Sequence, residues 1–311
     1  MSRTSQTLIA TGVSRGFGLA AAEHLLRTWP DIHLLVTARG AGDALTARLA
    51  DRTGNANVTS VQCDMSSLAS VRSAAADIAS LVNNGAVPPV HGLLANAGVQ
   101  TSNRTGTTAD GFESTFGINV LANYLLIRLL EPHLTAPARI IVTSSDSHFG
   151  DFKHNMGMIA GPRWEHPGKL ARPGAEAKAA TMREGGVAYS TSKLGVEYLV
   201  HAFSRRLPPG VDIYSYTPSL VPGTGLMRDN GRLARLTWGA LLPALTLTPW
   251  ATSKKKAGKL LAEAVAGPRP GKSGSYIERG VVTPSSPESY STGREEELWN
   301  TAADLTGLLV G

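Results

Sequence analysis

Close to the N terminus the chain runs Thr7-Leu8-Ile9-Ala10-Thr11-Gly12-Val13-Ser14-Arg15-Gly16-Phe17-Gly18, a short apolar run that breaks into three glycines. Thr7–Thr11 reads as a strand, and the apolar spacing of Leu19, Ala22, Leu25 and Leu26 predicts a helix over Phe17–Trp29. Glycines between a strand and a helix let the chain turn sharply, bring its backbone near a pyrophosphate and pack the helix on the strand. The helix start beyond them offers unpaired N–H groups and a positive dipole end to an anion. The spacing is G-x-x-x-G-x-G and departs from the general G-x-G-x-x-G. A glycine turn without a ligand remains the plain alternative when the motif is taken alone.

Outward from this turn, short apolar runs alternate with helical stretches. His33–Ala38, Val58–Cys63, Gly92–Asn96, Arg139–Ser144 and Val211–Thr217 are read as further strands, with Gly274–Glu278 as a seventh. Long helices are expected around Gly111–Leu134 and from Val187 to Leu207. Repeated βα units predict an α/β fold, a Rossmann-type doubly wound parallel sheet in one domain over residues 1–311. Residues 146–186 and 224–250 do not fit the alternation and are read as insertions leaving the carboxyl ends of strands, where open α/β sheets place ligands. Surface elaboration without a ligand role is the alternative for both.

With 42% hydrophobic and 17% charged residues, the chain has the material for a large core and is no disordered polymer. The net charge of +6 comes from scattered basic residues, apart from Lys254, Lys255 and Lys256, and only 6% of residues are aromatic. Attraction of an anionic cofactor explains that balance more simply than nucleic acid, and no nucleic-acid partner is expected. One cysteine, Cys63, excludes an intrachain disulfide, and the polar Met1–Thr7 shows no signal peptide, so a reducing, cytoplasmic location is expected. The apolar Trp238–Trp250 is too short to span a bilayer and is read as cover for a substrate pocket. Peripheral contact with a membrane surface stays open as a second reading. No metal site is assigned.

The second strand ends Thr37-Ala38-Arg39, with Ala38 where an NAD-selective site carries an acid for the ribose 2′-hydroxyl. Arg39 and Arg15 could instead grip a 2′-phosphate through charge-assisted bonds, which points to NADP(H); two solvated surface arginines are the bland reading. Gly12, Ser14, Arg15, Gly16, Phe17 and Gly18 form the candidate cradle. Asp64, before Met65, is placed against the adenine amino group or else caps the next helix. Asn96-Ala97-Gly98 puts small residues where backbone passes a ribose or ring.

On the second long helix Tyr189-Ser190-Thr191-Ser192-Lys193 places Tyr189 and Lys193 on one face. An ammonium beside a phenol favours the phenolate, so the tyrosine pKa is expected to move from about 10 toward the working pH. Ser145, at the end of the fifth strand, can donate to a carbonyl oxygen.

Together, Thr11–Gly18, Asn96-Ala97-Gly98, Asn119, Ser145 and Tyr189–Lys193 resemble the short-chain dehydrogenase/reductase family over about residues 7–224. The resemblance implies a catalytic set. Tyr189 moves the proton, Ser145 (in preference to Ser144) orients the oxygen, Lys193 binds the nicotinamide ribose and lowers the tyrosine pKa, and Asn119 holds a relay water. A buried, hydrogen-bonded helix asparagine is the alternative for Asn119. Val221 and Thr224 are matched to contacts with the nicotinamide amide and the phosphate, although Pro218-Ser219 replaces the family's P-G pair. The separation of Ser145 from Tyr189 by 44 positions (189 − 145) and Thr248-Pro249-Trp250 are similar to the retinol dehydrogenase and protochlorophyllide reductase branch, which handles bulky lipophilic substrates. The implied function is an NADP(H)-dependent oxidoreductase, a carbonyl reductase or alcohol dehydrogenase acting on a small molecule. Alternatives are a non-catalytic dinucleotide sensor and an epimerase or dehydratase. Helices after strands four and five commonly pair subunits in this family, so a homo-oligomer is an expected option.

Overall fold

The computed structural model describes residues 5–175, 177–222 and 251–309. Its centre is an eight-stranded sheet in the order β3-β2-β1-β4-β5-β6-β7-β8. The strands are β1 (Gln6–Ala10), β2 (Ile32–Ala38), β3 (Val58–Gln62), β4 (Val90–Ala95), β5 (Leu134–Thr143), β6 (Val211–Thr217), β7 (Tyr276–Glu278) and β8 (Val281–Thr283). All pairings are parallel except that of β8 with β7. β8 was not read from the sequence. It closes a hairpin through Arg279 and Gly280, both at positive φ (49° and 87°), the geometry of a two-residue turn matched to strand twist.

Two cores lie on opposite faces of the sheet. One is built by α1 (Gly16–Thr28), α2 (Gly42–Thr53) and α9 (Lys254–Ala266), burying Leu25, Leu49 and Leu261 among others. The other is built by α3 (Leu68–Asn83), α5 (Asn123–Leu130), α8 (Met182–Ser204) and α10 (Thr292–Thr306), burying Ile78, Leu126, Phe203 and Trp299. α1 and α9 approach closely because Gly258 has no side chain; a Cβ there would lie 2.6 Å from the Cβ of Ala20.

The long helix expected around Gly111–Leu134 runs without a break from Ser114 to His133, as α4 (Ser114–Phe116), a π turn at Gly117–Ala122, α5 and a 3₁₀ turn at Glu131–His133. π turns widen the helix locally and recur at functional sites; this one carries Asn119. α8 begins five residues earlier than the spacing predicted. Thr181 accepts from the Glu184 N–H at 3.3 Å, capping it. Gly185, which reads as a loop residue, is required there because a Cβ would meet the Thr101 carbonyl oxygen at 2.5 Å.

The expected 146–186 insertion ends at residue 181, because 182–186 are the first turn of α8; its described residues, 146–175 and 177–181, contain a 3₁₀ turn (Asp146–Phe149), α6 (Phe152–Asn155) and α7 (Pro167–Leu170) and contact α8. Ser190 Oγ donates to the Ala160 carbonyl at 2.6 Å, and Arg163 pairs with Glu184 at 2.5 Å. The second insertion, with Thr224, lies outside the described residues.

Candidate active site

The glycine turn is tightly built at two positions and open at the third. A Cβ on Gly12 would lie 2.7 Å from Ala97 N, and one on Gly18 would lie 2.4 Å from the Gly12 carbonyl oxygen. Gly16 has φ +63° and no atom within 4 Å of its would-be Cβ. α1 follows with Arg15 at its N-cap and no side-chain cap hydrogen bond, as at α2 and α10, whereas α3, α8 and α9 are capped by Ser67, Thr181 and Ser253. Unspent donors at the start of a full-length helix, beside a glycine with open space, fit a pyrophosphate.

Asn96 holds this turn to two strands. Its Nδ2 donates to the Gly12 carbonyl at 2.9 Å, its Oδ1 accepts from Thr143 Oγ1 at 3.0 Å, and its backbone N–H reaches Thr11 Oγ1 at 3.0 Å. Thr11 Oγ1 also accepts from Ala97 N at 2.9 Å. The ends of β1, β4 and β5 are thereby fixed together. Arg15 and Arg39 are exposed on the flank of the turn. Arg48, which the sequence did not single out, reaches from α2 to the Ser14 carbonyl at 2.5 Å. Phe17 is partly buried against the α1 side of the sheet, and Met65 is buried in the α3 core. Asp64 shapes its own turn by accepting from Ser66 N at 2.9 Å and Ser66 Oγ at 2.8 Å; the cap of α3 is Ser67.

Tyr189 and Lys193 project from α8 toward the end of β5, and both are buried. Ser145 is the serine that faces Tyr189, and its side chain favours the phenolate. Ser144 points elsewhere: its N–H donates to Tyr216 O at 2.7 Å, and its buried Oγ has no partner among the described residues. Lys193 Nζ donates to the Thr143 carbonyl at 2.8 Å and lies 5.6 Å from the Tyr189 ring centroid. It also borders Gly98, whose would-be Cβ would sit 3.6 Å from Nζ.

Burial pushes Tyr189 up to about 12, against the Ser145 side chain and with the Asp146 charge adding to the rise. Burial likewise lowers Lys193 to about 8, opposed by the Glu197 charge. The sequence argument expected Lys193 to pull the tyrosine down. Desolvation dominates here instead, because both groups are buried and burial favours the neutral form of each.

Asn119 is 1% exposed and its side chain is a brace. Nδ2 donates to Val99 O and to Ser192 Oγ, both at 2.9 Å, and Oδ1 accepts from Val99 N at 2.8 Å. A relay water would have to use the second lone pair of Oδ1. Val221 is buried beside the Leu220–Ala251 bridge. Ser219, standing where the resemblance expects glycine, adopts φ +59°. A small pocket lined by Arg104, Arg163, Val187 and Thr191 lies on the face of α8 turned away from Tyr189.

Residues 6–157 match the family model described as short chain dehydrogenase. Protochlorophyllide reductase B, chloroplastic, of Oryza sativa subsp. japonica is 30% identical, covering 97% of this chain and 77% of its own. The chain belongs to the short-chain dehydrogenase/reductase family. Within this family of oxidoreductases, human retinol dehydrogenase 12 is 27% identical over 97% of this chain and 87% of its own, which agrees with the branch read from the long Ser145–Tyr189 separation. A crystal structure of an uncharacterized protein from Mycobacterium Paratuberculosis shares the fold, with TM-score 0.67, 21% identity, and coverage of 100% of this chain and 97% of that one. As a short-chain dehydrogenase/reductase, the protein has its glycine turn and its Tyr189–Lys193 pair at the carboxyl end of the same sheet. Asp146, His148, Thr143 and Ser192 belong to the site's surroundings and carried no recognisable sequence signal.

Proposed function

We propose that this protein is an NADP(H)-dependent oxidoreductase interconverting an alcohol and a carbonyl group on a bulky, lipophilic small molecule. The observation that carries the reading is the buried Tyr189–Lys193 pair, with Nζ 5.6 Å from the tyrosine ring and bonded to the Thr143 carbonyl at the end of β5, where Ser145 follows. NADP(H), when bound, supplies or accepts the hydride at the substrate carbon. Gly12, Gly16 and Gly18 with the α1 N-terminus would hold the pyrophosphate, and Arg15 and Arg39 the 2′-phosphate.

In the reduction direction Tyr189 donates its phenolic proton to the carbonyl oxygen, and Ser145 donates a hydrogen bond to the same atom. The phenolate left behind is favoured by the Lys193 ammonium, which then supplies the replacement proton. In oxidation the proton moves the other way. At neutral pH both Tyr189 and Lys193 carry their protons, the state that reduction requires.

The relatives' names denote enzymes of protochlorophyllide and retinol, both large and mostly apolar. That, with the 146–186 segment beside the site, supports a lipophilic substrate. The test is NADPH oxidation by the purified protein with aromatic, steroid-like and polyketide-like ketones, with NADH run in parallel. Turnover is expected for the wild type and absent in Tyr189→Phe; retained activity in that variant would sink the mechanism.

A further inference from the structure

His148 is fully buried three residues beyond Ser145, and neither of its ring nitrogens is idle. Nδ1 lies 2.7 Å from the Ser145 carbonyl oxygen, and the Ser286 N–H reaches Nε2 at 3.1 Å. A carbonyl only accepts and an amide N–H only donates, so these partners select the neutral tautomer with its proton on Nδ1. The ring is wedged between Phe149 and Tyr276, with centroids 4.4 and 5.1 Å away.

The loop it reaches is itself tied to the helix of Tyr189. Tyr198 on α8 donates its hydroxyl proton to the Glu288 carbonyl at 3.0 Å. One turn on, His201 Nδ1 donates to the Ser289 carbonyl at 3.1 Å. Next to Ser145, the buried Asp146 accepts from the Tyr276 hydroxyl on β7 at 2.7 Å. A closed ring of contacts therefore runs from the Ser145 backbone through His148, the 285–289 loop and Tyr198 back to α8.

From this ring we propose that His148 is a positioning residue, which with the Asp146–Tyr276 bond holds the Ser145 turn against Tyr189 and makes the C-terminal segment part of the catalytic scaffold. The kinetic side of this rests on the reading of the site as a carbonyl-reducing centre; the geometric side does not. The other restraints on Ser145 are long bonds within its own turn, from Ser147 N to its Oγ and from His148 N to its carbonyl, at 3.3 and 3.2 Å. The shorter imidazole bond is the one that ties the carbonyl to the C-terminal loop; losing it loosens the turn, and displacement of a catalytic group by about 1 Å costs on the order of a hundredfold in rate.

Two near-isosteres separate the two bonds of the ring. The amide of His148→Asn can place an N–H near the Nδ1 position and keep the Ser145 contact, whereas His148→Gln reaches toward Ser286 and loses it. Tyr276→Phe deletes a single hydroxyl from an intact core ring and tests the second anchor. The measurements are kcat, KM for NADPH, NADPH affinity by fluorescence, and the ¹³Cζ NMR resonance of Tyr189, assigned by its loss in Tyr189→Phe. His148→Gln should lower kcat by about ten- to a hundredfold at unchanged NADPH affinity and shift the Tyr189 resonance. His148→Asn should recover most of kcat with a wild-type resonance, and Tyr276→Phe should fall between them. An unmoved Tyr189 resonance in both His148→Gln and Tyr276→Phe would overturn the proposal, as would loss of kcat only in step with lost NADPH affinity. Should the wild type reduce no carbonyl while the resonance still moves, the functional reading fails and the positioning role stands.

Discussion

The ammonium of Lys193 lies 5.6 Å from the ring centre of Tyr189 while donating to the Thr143 carbonyl at 2.8 Å, so lysine and tyrosine share one dry pocket at the end of β5. Their pKa values move in opposite directions, Lys193 down to about 8 and Tyr189 up to about 12. Below about pH 8 both protons are in place. As pH rises through that value Lys193 loses its charge, and with it the group that favours the phenolate and reprotonates it. Carbonyl reduction at saturating NADPH is therefore expected to fall with a midpoint near pH 8. Lys193→Met should leave a low, pH-independent rate, and a wild-type profile in that variant would refute the assignment.

Cofactor choice is expected to rest on Arg39 and Arg15. Charge-assisted hydrogen bonds contribute roughly 1.5–3 kcal/mol, so Arg39→Asp should weaken NADPH binding by about ten- to a hundredfold. Combined with Ala38→Asp, which restores the acid at the position it holds in NAD-selective sites, the change should improve NADH binding. Titration of both dinucleotides against both proteins decides it; unchanged selectivity would leave the two arginines as surface residues.

Gly18→Ala places a methyl group 2.4 Å from the Gly12 carbonyl oxygen and 2.6 Å from Asn96 Nδ2. Both atoms belong to the brace of the turn, so neither can yield without opening it. Loss of dinucleotide binding is expected by calorimetry. Gly16→Ala differs in kind, since its cost is the positive φ alone, about 1 kcal/mol, and it should keep measurable affinity.

Trp299 on α10 is 2% exposed and lies between the guanidinium groups of Arg128 and Arg206, at 5.0 and 4.4 Å. Trp299→Ala should cost about 3–5 kcal/mol in denaturant unfolding. Because α10 covers the faces of α5 and α8 that would otherwise be open for pairing, the wild-type chain is expected to sediment as a monomer. A stable dimer would show that another surface is used.

Much of the cofactor half was legible because its signals are local. A strand, a glycine turn and a helix follow one another directly between Gln6 and Thr28, and the observed β1 and α1 agree with the expected bounds within one residue. Periodicity placed β6 on the residues expected. It failed where packing overrides local preference: Gly185 and Gly186 read as a loop, yet they sit inside α8, where the neighbouring Thr101–Asn103 backbone leaves no room for a side chain at Gly185. β8 escaped because three residues carry too little pattern to register, although the Arg279-Gly280 pair marks its turn.

Sequence alone determined the chemistry on offer: a phosphate-type turn, a tyrosine four residues before a lysine, and a serine at a strand end. These are short-range patterns, set by helix and strand geometry. Tertiary structure decided which serine meets the tyrosine, that Asn119 braces Val99 to Ser192, and that burial shifts the tyrosine upward. It also brought Tyr276 and Ser286 to Asp146 and His148 across 130 and 138 positions of chain. No local rule encodes such contacts. They exist because β7 lies against β6 and the 285–289 loop lies against α8, which place the far end of the chain over the Ser145 turn.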